Sequence, residues 1–280
     1  MQRVRLLLAC MSAAVVAGAV MASATPQAPS PLRIFLRGGP KTHGPAGNGL
    51  HDGPTWLREW QPLLASRGAI VDGALRFPTA AELDRTDVLV MFAADAGTIL
   101  GDDRANLERF LARGGGIVCF HDAVVAASDS DWFKTIVGGA WENGVARYFE
   151  GENTYYYVNA EHPITKGAST FTIEDEVYWN LHMMPDANIL AMSFQPERPG
   201  RGAAANDAGN RTLIPQMWTY EGRVGDGQPY RAFVSLLGHH IETFASPHVR
   251  AILLRGIAWA GKRDVDSLTT KGEIEGLSGS

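Results

Sequence analysis

The histidines are the residues of this sequence whose type and spacing are best suited to catalysis or metal binding. Five of the eight follow segments that pattern as strands, namely His43, His51, His121, His239 and His240. Imidazole transfers protons near neutral pH and binds zinc or similar metals. The group therefore indicates acid–base catalysis or a divalent metal such as zinc, with His43, His51, His121 and His239 as ligands. The spacing of His43 and His51 matches no recognised metal motif.

One short apolar strand starts from three glycines at 114–116 and ends in His121 and Asp122. In open α/β sheets, ligands bind beyond the carboxyl ends of the strands. We therefore predict that His121 and Asp122 are catalytic. The glycine-rich loop 41–54 carries His43 and His51, and backbone of this kind permits close approach to a ligand. His43 is predicted to join the catalytic group.

The segment from Asp175 to Trp179 is a second candidate, predicted to lie where a strand meets a loop. Glu176 would be a general base or acid beside aromatic surfaces, on which sugars stack. Tyr178, Trp179 and His240 are accordingly predicted to bind substrate. The alternative is that the acidic pair caps a turn and the aromatic rings belong to the core.

Cys119 raises the possibility of a cysteine nucleophile, since nearby histidines could activate a thiol. Ile117, Cys119 and His121 alternate along one strand, however, and no G-x-C-x-G pattern surrounds the cysteine. A buried, inert thiol is the favoured interpretation.

Strand and helix patterns alternate through residue 122, which predicts a parallel, doubly wound α/β sheet. Predicted strands cover 32–36, 69–75, 87–92 and 117–122, with helices at 54–68 and 102–113. Thr79 and Glu82 have the pattern of a capping box that starts a short turn of helix. The second half has short strand patterns without long helices between them, so it should add antiparallel strands to that sheet. A last strand at 232–237 and a helix at 248–260 close the domain. No function is predicted for region 196–228.

The first 24 residues have the pattern of a secretion signal, with Arg3 and Arg5 before an apolar run and Ala22-Ser23-Ala24 as cleavage site. We predict a signal peptide at 1–24, a linker at 25–31, a domain at 32–262 and a solvated tail at 263–280. This organisation implies a periplasmic or secreted protein without stable membrane insertion.

The net charge is −5 and no basic run occurs, which argues against nucleic acid and anionic membranes as partners. Cys10 lies in the predicted signal peptide and would be removed with it. Cys119 would then be the only cysteine, which excludes an internal disulfide.

Several motifs, in this order, resemble the ThuA-like (trehalose utilisation) family over about residues 32 to 261. They are the histidine-containing glycine loop, Gly-Gly-Gly-Ile-Val-Cys-Phe-His121, His162-Pro163-Ile164-Thr165-Lys166-Gly167, Asp175-Glu176-Val177-Tyr178, and Leu237-Gly238-His239 before Glu242-Thr243-Phe244. The resemblance implies a flavodoxin-like fold similar to class I glutamine amidotransferases, with the cysteine elbow replaced by the His121 turn. The polar motif positions are His43, His51, His121, Glu176 and His239. His240 departs from the pattern, because an acidic residue is expected there.

The family is associated with bacterial sugar catabolism, including pathways that pass through 3-keto-glycosides. We therefore expect an exported enzyme that takes a proton from the carbon beside a keto-sugar carbonyl, causing isomerisation or elimination. Glu176 or His121 would be the base or acid, and His43, His51 and His239 would stabilise the enolate or bind the metal. The alternative is a non-catalytic periplasmic sugar-binding or scaffolding module. The particular sugar, the metal and the oligomeric state stay open.

Overall fold

A nine-stranded sheet organises the fold, and the loops at the carboxyl ends of its parallel strands carry most of the predicted site residues. The computed structural model describes residues 30–94, 99–126, 129–195 and 212–278. The predicted signal peptide, most of the linker and the segment 196–211 lie outside the described residues.

The elements are, in chain order, β1 (Arg33–Gly38), α1 (Gly53–Ser66), β2 (Ile70–Ala74), α2 (Ala80–Asp84), β3 (Val88–Phe92), α3 (Gly101–Ala112), β4 (Gly116–Phe120), β5 (Val125–Ala126), α4 (Ser130–Val137), β6 (Gly139–Glu142), β7 (Arg147–Tyr157), β8 (Phe171–Trp179), β9 (His182–Met183), β10 (Asn188–Phe194), β11 (Leu213–Gly222), β12 (Tyr230–Ser235), α5 (Pro247–Ala260) and α6 (Lys271–Glu275). Short 3₁₀ turns follow β4 at His121–Val124 and precede α5 at Ile241–Ala245.

The strand order is β2-β1-β3-β4-β12-β11-β10-β7-β8. The five strands from β2 to β12 are parallel, and the remaining four pair antiparallel. The parallel part has the order of flavodoxin-like folds, in which ligands bind outside the carboxyl ends of the strands. The predicted fold class is confirmed, including the antiparallel additions in the second half of the chain.

Helices cover both faces of the parallel strands, which explains why every residue of β3 and β4 is buried. Trp56 and Trp60 of α1 pack on one face together with α5. Leu107 and Phe110 of α3 pack on the other face together with α2 and α4. Both amphipathic helices thereby hold the parallel strands, and the loops that leave them, in fixed positions.

Two local features confirm predictions made from the sequence. Thr79 and Glu82 form the predicted capping box at the start of α2. Cys119 is a free, buried thiol inside β4, and burial raises its pKa above the usual range. A thiol that stays protonated cannot act as a nucleophile, so the cysteine-dependent alternative is not supported.

The region after Lys262 differs from the solvated tail that was predicted. Leu268 and Leu277 are buried in the core with α5, and α6 lies between them. The prediction was wrong because the local sequence is polar, whereas its two leucines find their apolar partners only in the folded domain. No helix among the described residues is long and apolar enough to cross a membrane.

Candidate active site

Four buried side chains meet beyond the carboxyl ends of the parallel strands. His51 lies in the loop after β1, His121 directly follows β4, and His239 lies in the loop after β12. Glu176 comes from β8. One ligand atom of each residue lies within 4.8 Å of those of the other three. These four, here called the histidine cluster, were all predicted as site residues.

Two of these histidines have a backbone conformation that residues other than glycine rarely adopt. The φ angle is 43° at His51 and 49° at His121. The N–H of His51 donates to the carbonyl of His239 at 3.1 Å, which ties the first loop to the last. Asp52 then accepts from the N–H of Thr55 at 3.0 Å and starts α1. Such backbone persists where the surroundings enforce it, and it is concentrated at functional sites.

The Nδ1 atoms of His51 and His121 have partners that assign their tautomers. Nδ1 of His51 lies 2.9 Å from Oδ2 of Asp122, and Nδ1 of His121 lies 2.9 Å from the carbonyl of Leu236. A carboxylate and a carbonyl only accept hydrogen bonds, so both Nδ1 atoms carry a hydrogen. In the neutral rings, each Nε2 atom therefore presents a lone pair to the interior of the cluster.

Inside the cluster, acceptors face other acceptors. Nε2 of His51 lies 3.0 Å from Nε2 of His121 and 2.8 Å from Nδ1 of His239. Oε2 of Glu176 lies 3.3 Å from Nδ1 of His239 and 3.5 Å from Nε2 of His121. Since the Nε2 lone pairs of His51 and His121 repel each other, a proton or a metal ion between the ligand atoms would stabilise this arrangement.

The pKa shifts agree with this interpretation. Burial, with the neighbouring imidazoles of His51 and His239, holds the pKa of His121 well below its usual value, so this ring stays neutral. Burial also acts to lower the pKa of His239, but the hydrogen bond and charge of Glu176 outweigh it and raise that pKa. A proton on His239 can thus supply positive charge to the cluster when no metal is bound.

The cluster has the composition and spacing to hold a metal ion. Three imidazole nitrogens and one carboxylate oxygen form a donor set typical of zinc and similar transition metals. Metal-binding histidines usually donate their other N–H to a carboxylate or carbonyl. His51 and His121 do so, to Asp122 and Leu236. Asp122, predicted as catalytic, thus lies at the site as the partner of His51.

Asp175 anchors the loop that carries His239. It is fully buried in β8, where its Oδ1 accepts from the N–H of His239 at 2.9 Å and its Oδ2 from the N–H of Gly238 at 3.0 Å. Gly238 has a φ of 131°, and a Cβ there would lie 2.7 Å from the ring of Phe244. The predicted strand-to-loop position of Asp175 and Glu176 is corrected, because β8 continues to Trp179.

His43 and Tyr178 lie at the edge of the cluster. The ring centroid of His43 is 4.0 Å from that of His51, and burial followed by the charge of His51 lowers the pKa of His43. His43 is exposed and is not among the four converging ligands. Oη of Tyr178 lies 2.9 Å from Nε2 of His121. Burial and the charge of Glu176 raise the pKa of Tyr178 well above its usual value, so its hydroxyl stays protonated.

The other two residues predicted to bind substrate have different surroundings. Trp179 is packed in the hydrophobic core, because neighbouring strand residues point to opposite faces and Tyr178 occupies the face toward the cluster. The expected stacking surface on Trp179 is therefore corrected. His240 lines a pocket of about 400 Å³ together with Ile173, Glu174, Glu242 and Thr243. Sequence reasoning missed the partners Glu150 and Leu236, which only the strand register brings to the site.

Comparison with known proteins identifies the family. The model of the family described as ThuA, trehalose utilisation, matches residues 59–260. A ThuA-like protein from Bacteroides uniformis ATCC 8492 has a similar structure, with a TM-score of 0.61 at 18% identity, over 90% of this chain and 98% of that one. A second, from Parabacteroides merdae ATCC 43184, has a TM-score of 0.54 at 17% identity, over 82% and 90%. No curated protein compared with this sequence matches it.

The matched range includes three of the four cluster residues, with only His51 before it. The description of the family indicates a carbohydrate-related role. Since the family model covers well over half of the sequence, the chain belongs to the ThuA (trehalose utilisation) family.

Proposed function

We propose that this protein is an exported carbohydrate-processing enzyme that takes a proton from the carbon beside the carbonyl of a keto-sugar. The observation that carries the proposal is the histidine cluster, whose converging lone pairs suit a cation that polarises an oxygen. The carbohydrate-related role of the family supports the substrate class. A 3-keto-glycoside is the most concrete substrate.

The residues that would hold a metal ion are His51, His121, Glu176 and His239, and zinc is the metal proposed. When bound, such an ion supplies Lewis-acid polarisation of a carbonyl oxygen. Asp122 and the carbonyl of Leu236 fix the orientation of two of the imidazoles.

His43 is the proposed base, because its lowered pKa keeps the ring neutral and its position is the most open of the group. It takes the proton while the electron pair of the C–H bond moves toward the carbonyl oxygen. Tyr178 remains protonated and donates a hydrogen bond to that oxygen. We therefore assign the acid–base role to His43 and Tyr178 instead of His121 and Glu176, whose side chains face the interior of the cluster.

Protonation of the carbon on its opposite face by solvent, with release of the His43 proton to solvent, gives an isomer. Alternatively, the electron pair expels the glycosidic substituent and His43 returns its proton to the departing oxygen, which gives elimination. Both outcomes begin with the same loss of a carbon-bound proton. A measurement of that loss therefore tests the proposal before the product is known.

The test is an incubation of the zinc-loaded protein with a 3-keto-glycoside in D₂O, followed by NMR. We expect deuterium to enter at the carbon beside the carbonyl, and His43→Gln to reduce this exchange by about 100-fold or more. His162→Gln is the matched control, since His162 lies in a turn outside the cluster and should leave exchange unchanged. Binding of the keto-sugar without exchange, with zinc, manganese or cobalt, would instead support the non-catalytic sugar-binding module.

Export is tested separately, because residues 1–24 lie outside the described residues. We expect the mature protein from bacterial cells to begin at Thr25, by mass spectrometry of the N-terminal peptide, and to be recovered outside the cytoplasm. An intact Met1 peptide in the cytoplasmic fraction would contradict export without affecting the proposed reaction.

A further inference from the structure

His239 has two ring nitrogens that face two different groups of ligands. Its Nδ1 lies in the histidine cluster, 2.8 Å from Nε2 of His51. Its Nε2 lies on the other side of the ring, 3.8 Å from Oε1 of Glu150. Nε2 of His240 lies 3.2 Å from the same Glu150 oxygen. One ligand atom from each of Glu150, His239 and His240 lies within 4.8 Å of the other two.

These contacts leave the nitrogens of this outer group incompletely satisfied. His239 as a whole residue is only 3% exposed, and the Glu150 oxygen lies 3.8 Å from its Nε2, which is beyond hydrogen-bond distance. Nε2 of His240 is inaccessible to solvent and also lacks a hydrogen-bond partner in the described part of the chain, although it is within ion-pair distance of Glu150. Buried polar atoms without partners are uncommon in folded proteins, and a bound ion can supply the missing partner.

The strand register supplies a second, independent argument. Glu150 of β7 lies directly opposite Glu176 of β8. Like charges in directly opposed cross-strand positions destabilise a sheet. The ring of His239 is near both carboxylates, with Nδ1 toward Glu176 and Nε2 toward Glu150. A cation on each side of the ring would neutralise both carboxylates.

We propose a second, outer divalent-metal site formed by Glu150, Nε2 of His239 and Nε2 of His240. It rests on the proposed function in one respect, since His239 is shared with the inner ion of the histidine cluster. With an ion on each nitrogen, the His239 ring has released its N–H proton to solvent. Three protein ligands leave a coordination position open, as in catalytic zinc sites.

The outer site borders a pocket of the protein. His240 is one of its ligands and also lines the pocket of about 400 Å³ with Glu174 and Glu242. An ion there would therefore lie between this pocket and the histidine cluster. An oxygen of a sugar in the pocket can occupy the open position, which gives the outer ion a role in substrate placement.

The first experiment counts metal ions. The protein is incubated with excess zinc, desalted and measured by inductively coupled plasma mass spectrometry. We expect two ions per chain for the wild type and one for Glu150→Gln or His240→Gln. The matched control is Glu152→Gln, which removes an exposed carboxylate from the same strand, two residues along, and should retain two ions.

Each other count has a definite meaning. One ion in the wild type, unaffected by Glu150→Gln, would overturn the outer site and leave the inner one intact. Loss of both ions in Glu150→Gln would mean that Glu150 only orients His239 toward the inner ion, and would also overturn the proposal. No retained ion in the wild type would overturn both sites, although metal-independent proton exchange could still be measured.

The second experiment tests the shared imidazole. Copper(II) is loaded in place of zinc, and the electron paramagnetic resonance signal is integrated. Two copper ions bridged by one imidazole couple magnetically, so the wild type should show less signal than its copper content. Glu150→Gln should hold one copper with a full signal. Two bound coppers with full, uncoupled signals would show that they do not share His239, which would overturn the proposed arrangement.

Discussion

Two buried polar groups of this protein differ in how their atoms are satisfied. The first is the histidine cluster, and the second, here called the Glu273 cluster, consists of Glu273, Arg67, Arg250 and Thr270. Glu273 is 3% exposed and packs beside α5. Its Oε1 accepts from Arg250 at 2.7 Å and from Arg67 at 3.1 Å. Its Oε2 accepts from the N–H and hydroxyl of Thr270 at 2.8 and 3.0 Å.

Every oxygen of the Glu273 carboxylate therefore meets donors, and its charge meets two cations. The histidine cluster has the opposite character, since lone pairs of His51 and His121 approach each other at 3.0 Å. A carboxylate whose two oxygens both meet donors contributes to folding, whereas lone pairs that face each other leave room for a proton or a metal ion between them. The comparison teaches that the partners of the acceptor atoms, rather than their burial, distinguish a structural carboxylate from a candidate ligand site.

The largest expected effect follows from removing one converging acceptor. His51→Asn should weaken zinc binding by more than about 100-fold, since loss of even an outer partner costs 10- to 100-fold. Asparagine tolerates the left-handed backbone at this position. The unfolding free energy of the metal-free protein should change by less than about 1 kcal/mol. Competition with a chromogenic chelator and urea unfolding provide the two measurements.

The corresponding change at a histidine outside the cluster, His162→Asn, should leave zinc affinity unchanged. If His51→Asn keeps its zinc affinity but unfolds easily, the histidine cluster would resemble the Glu273 cluster, and the comparison would fail.

The second effect concerns a partner that orients a ligand. Asp122→Asn keeps the shape of the side chain but removes the charge that holds Nδ1–H of His51 at 2.9 Å. Zinc affinity should fall by about 10- to 100-fold, less than for the ligand itself. Asp129→Asn is the control, because Asp129 pairs with Arg104 and caps α4 outside the cluster. Equal losses in both variants would point to a general effect of acidic charge.

Much of the histidine cluster could be predicted from the sequence, because the parallel topology dictates where strand ends meet. His51, His121 and His239 each follow a strand of the parallel part. The alternation of strands and helices places the carboxyl ends of these strands on the same side of the sheet, so the three histidines are expected to lie together there. Glu176 was predicted from its sequence context, but its approach from an antiparallel strand was not. Whether Tyr178 or Trp179 contacts the cluster depends on which face of β8 points toward it. The pairing register of β8 decides this, and the sequence alone does not give that register.

The Glu273 cluster could not be predicted, since its contacts span long separations in sequence. Arg67 lies 206 positions before Glu273. The only local signal is the Thr270 and Glu273 capping box, which is compatible with an exposed helix. A polar segment with two isolated leucines has the pattern of a solvated tail until the domain provides a surface for it.

The third effect is on stability and should be confined to the Glu273 cluster. Glu273→Gln leaves the guanidinium groups of Arg67 and Arg250 without their carboxylate, which should lower the unfolding free energy by about 1.5 kcal/mol. Zinc affinity and proton exchange should not change. The matched control, Glu275→Gln, removes an exposed carboxylate of the same helix that pairs with exposed Lys271, and such pairs contribute little. A loss of zinc in Glu273→Gln would mean that the two clusters are coupled.

The smallest expected effect is the pH dependence of the difference in unfolding free energy between the wild type and Glu273→Gln. Burial alone acts to raise the pKa of Glu273, but the hydrogen bonds from Thr270 and Arg250 and the charge of Arg67 lower it overall. A carboxyl group with a lower pKa in the folded state stabilises the protein fully above its unfolded pKa of about 4.3. This contribution is lost as the pH falls through the folded value.

The unfolding free energies of wild type and Glu273→Gln should therefore differ by a constant amount from pH 7 to pH 5.5 and converge below about pH 4.3. Urea unfolding of both proteins at each pH gives the difference, in which the titration of all other carboxylates cancels. Because the variant has no carboxyl group at 273, convergence isolates the charge of that group. A difference that stays constant down to pH 3 would mean that Glu273 acts through packing, and the contrast between the clusters would then rest on shape and not on satisfied charge.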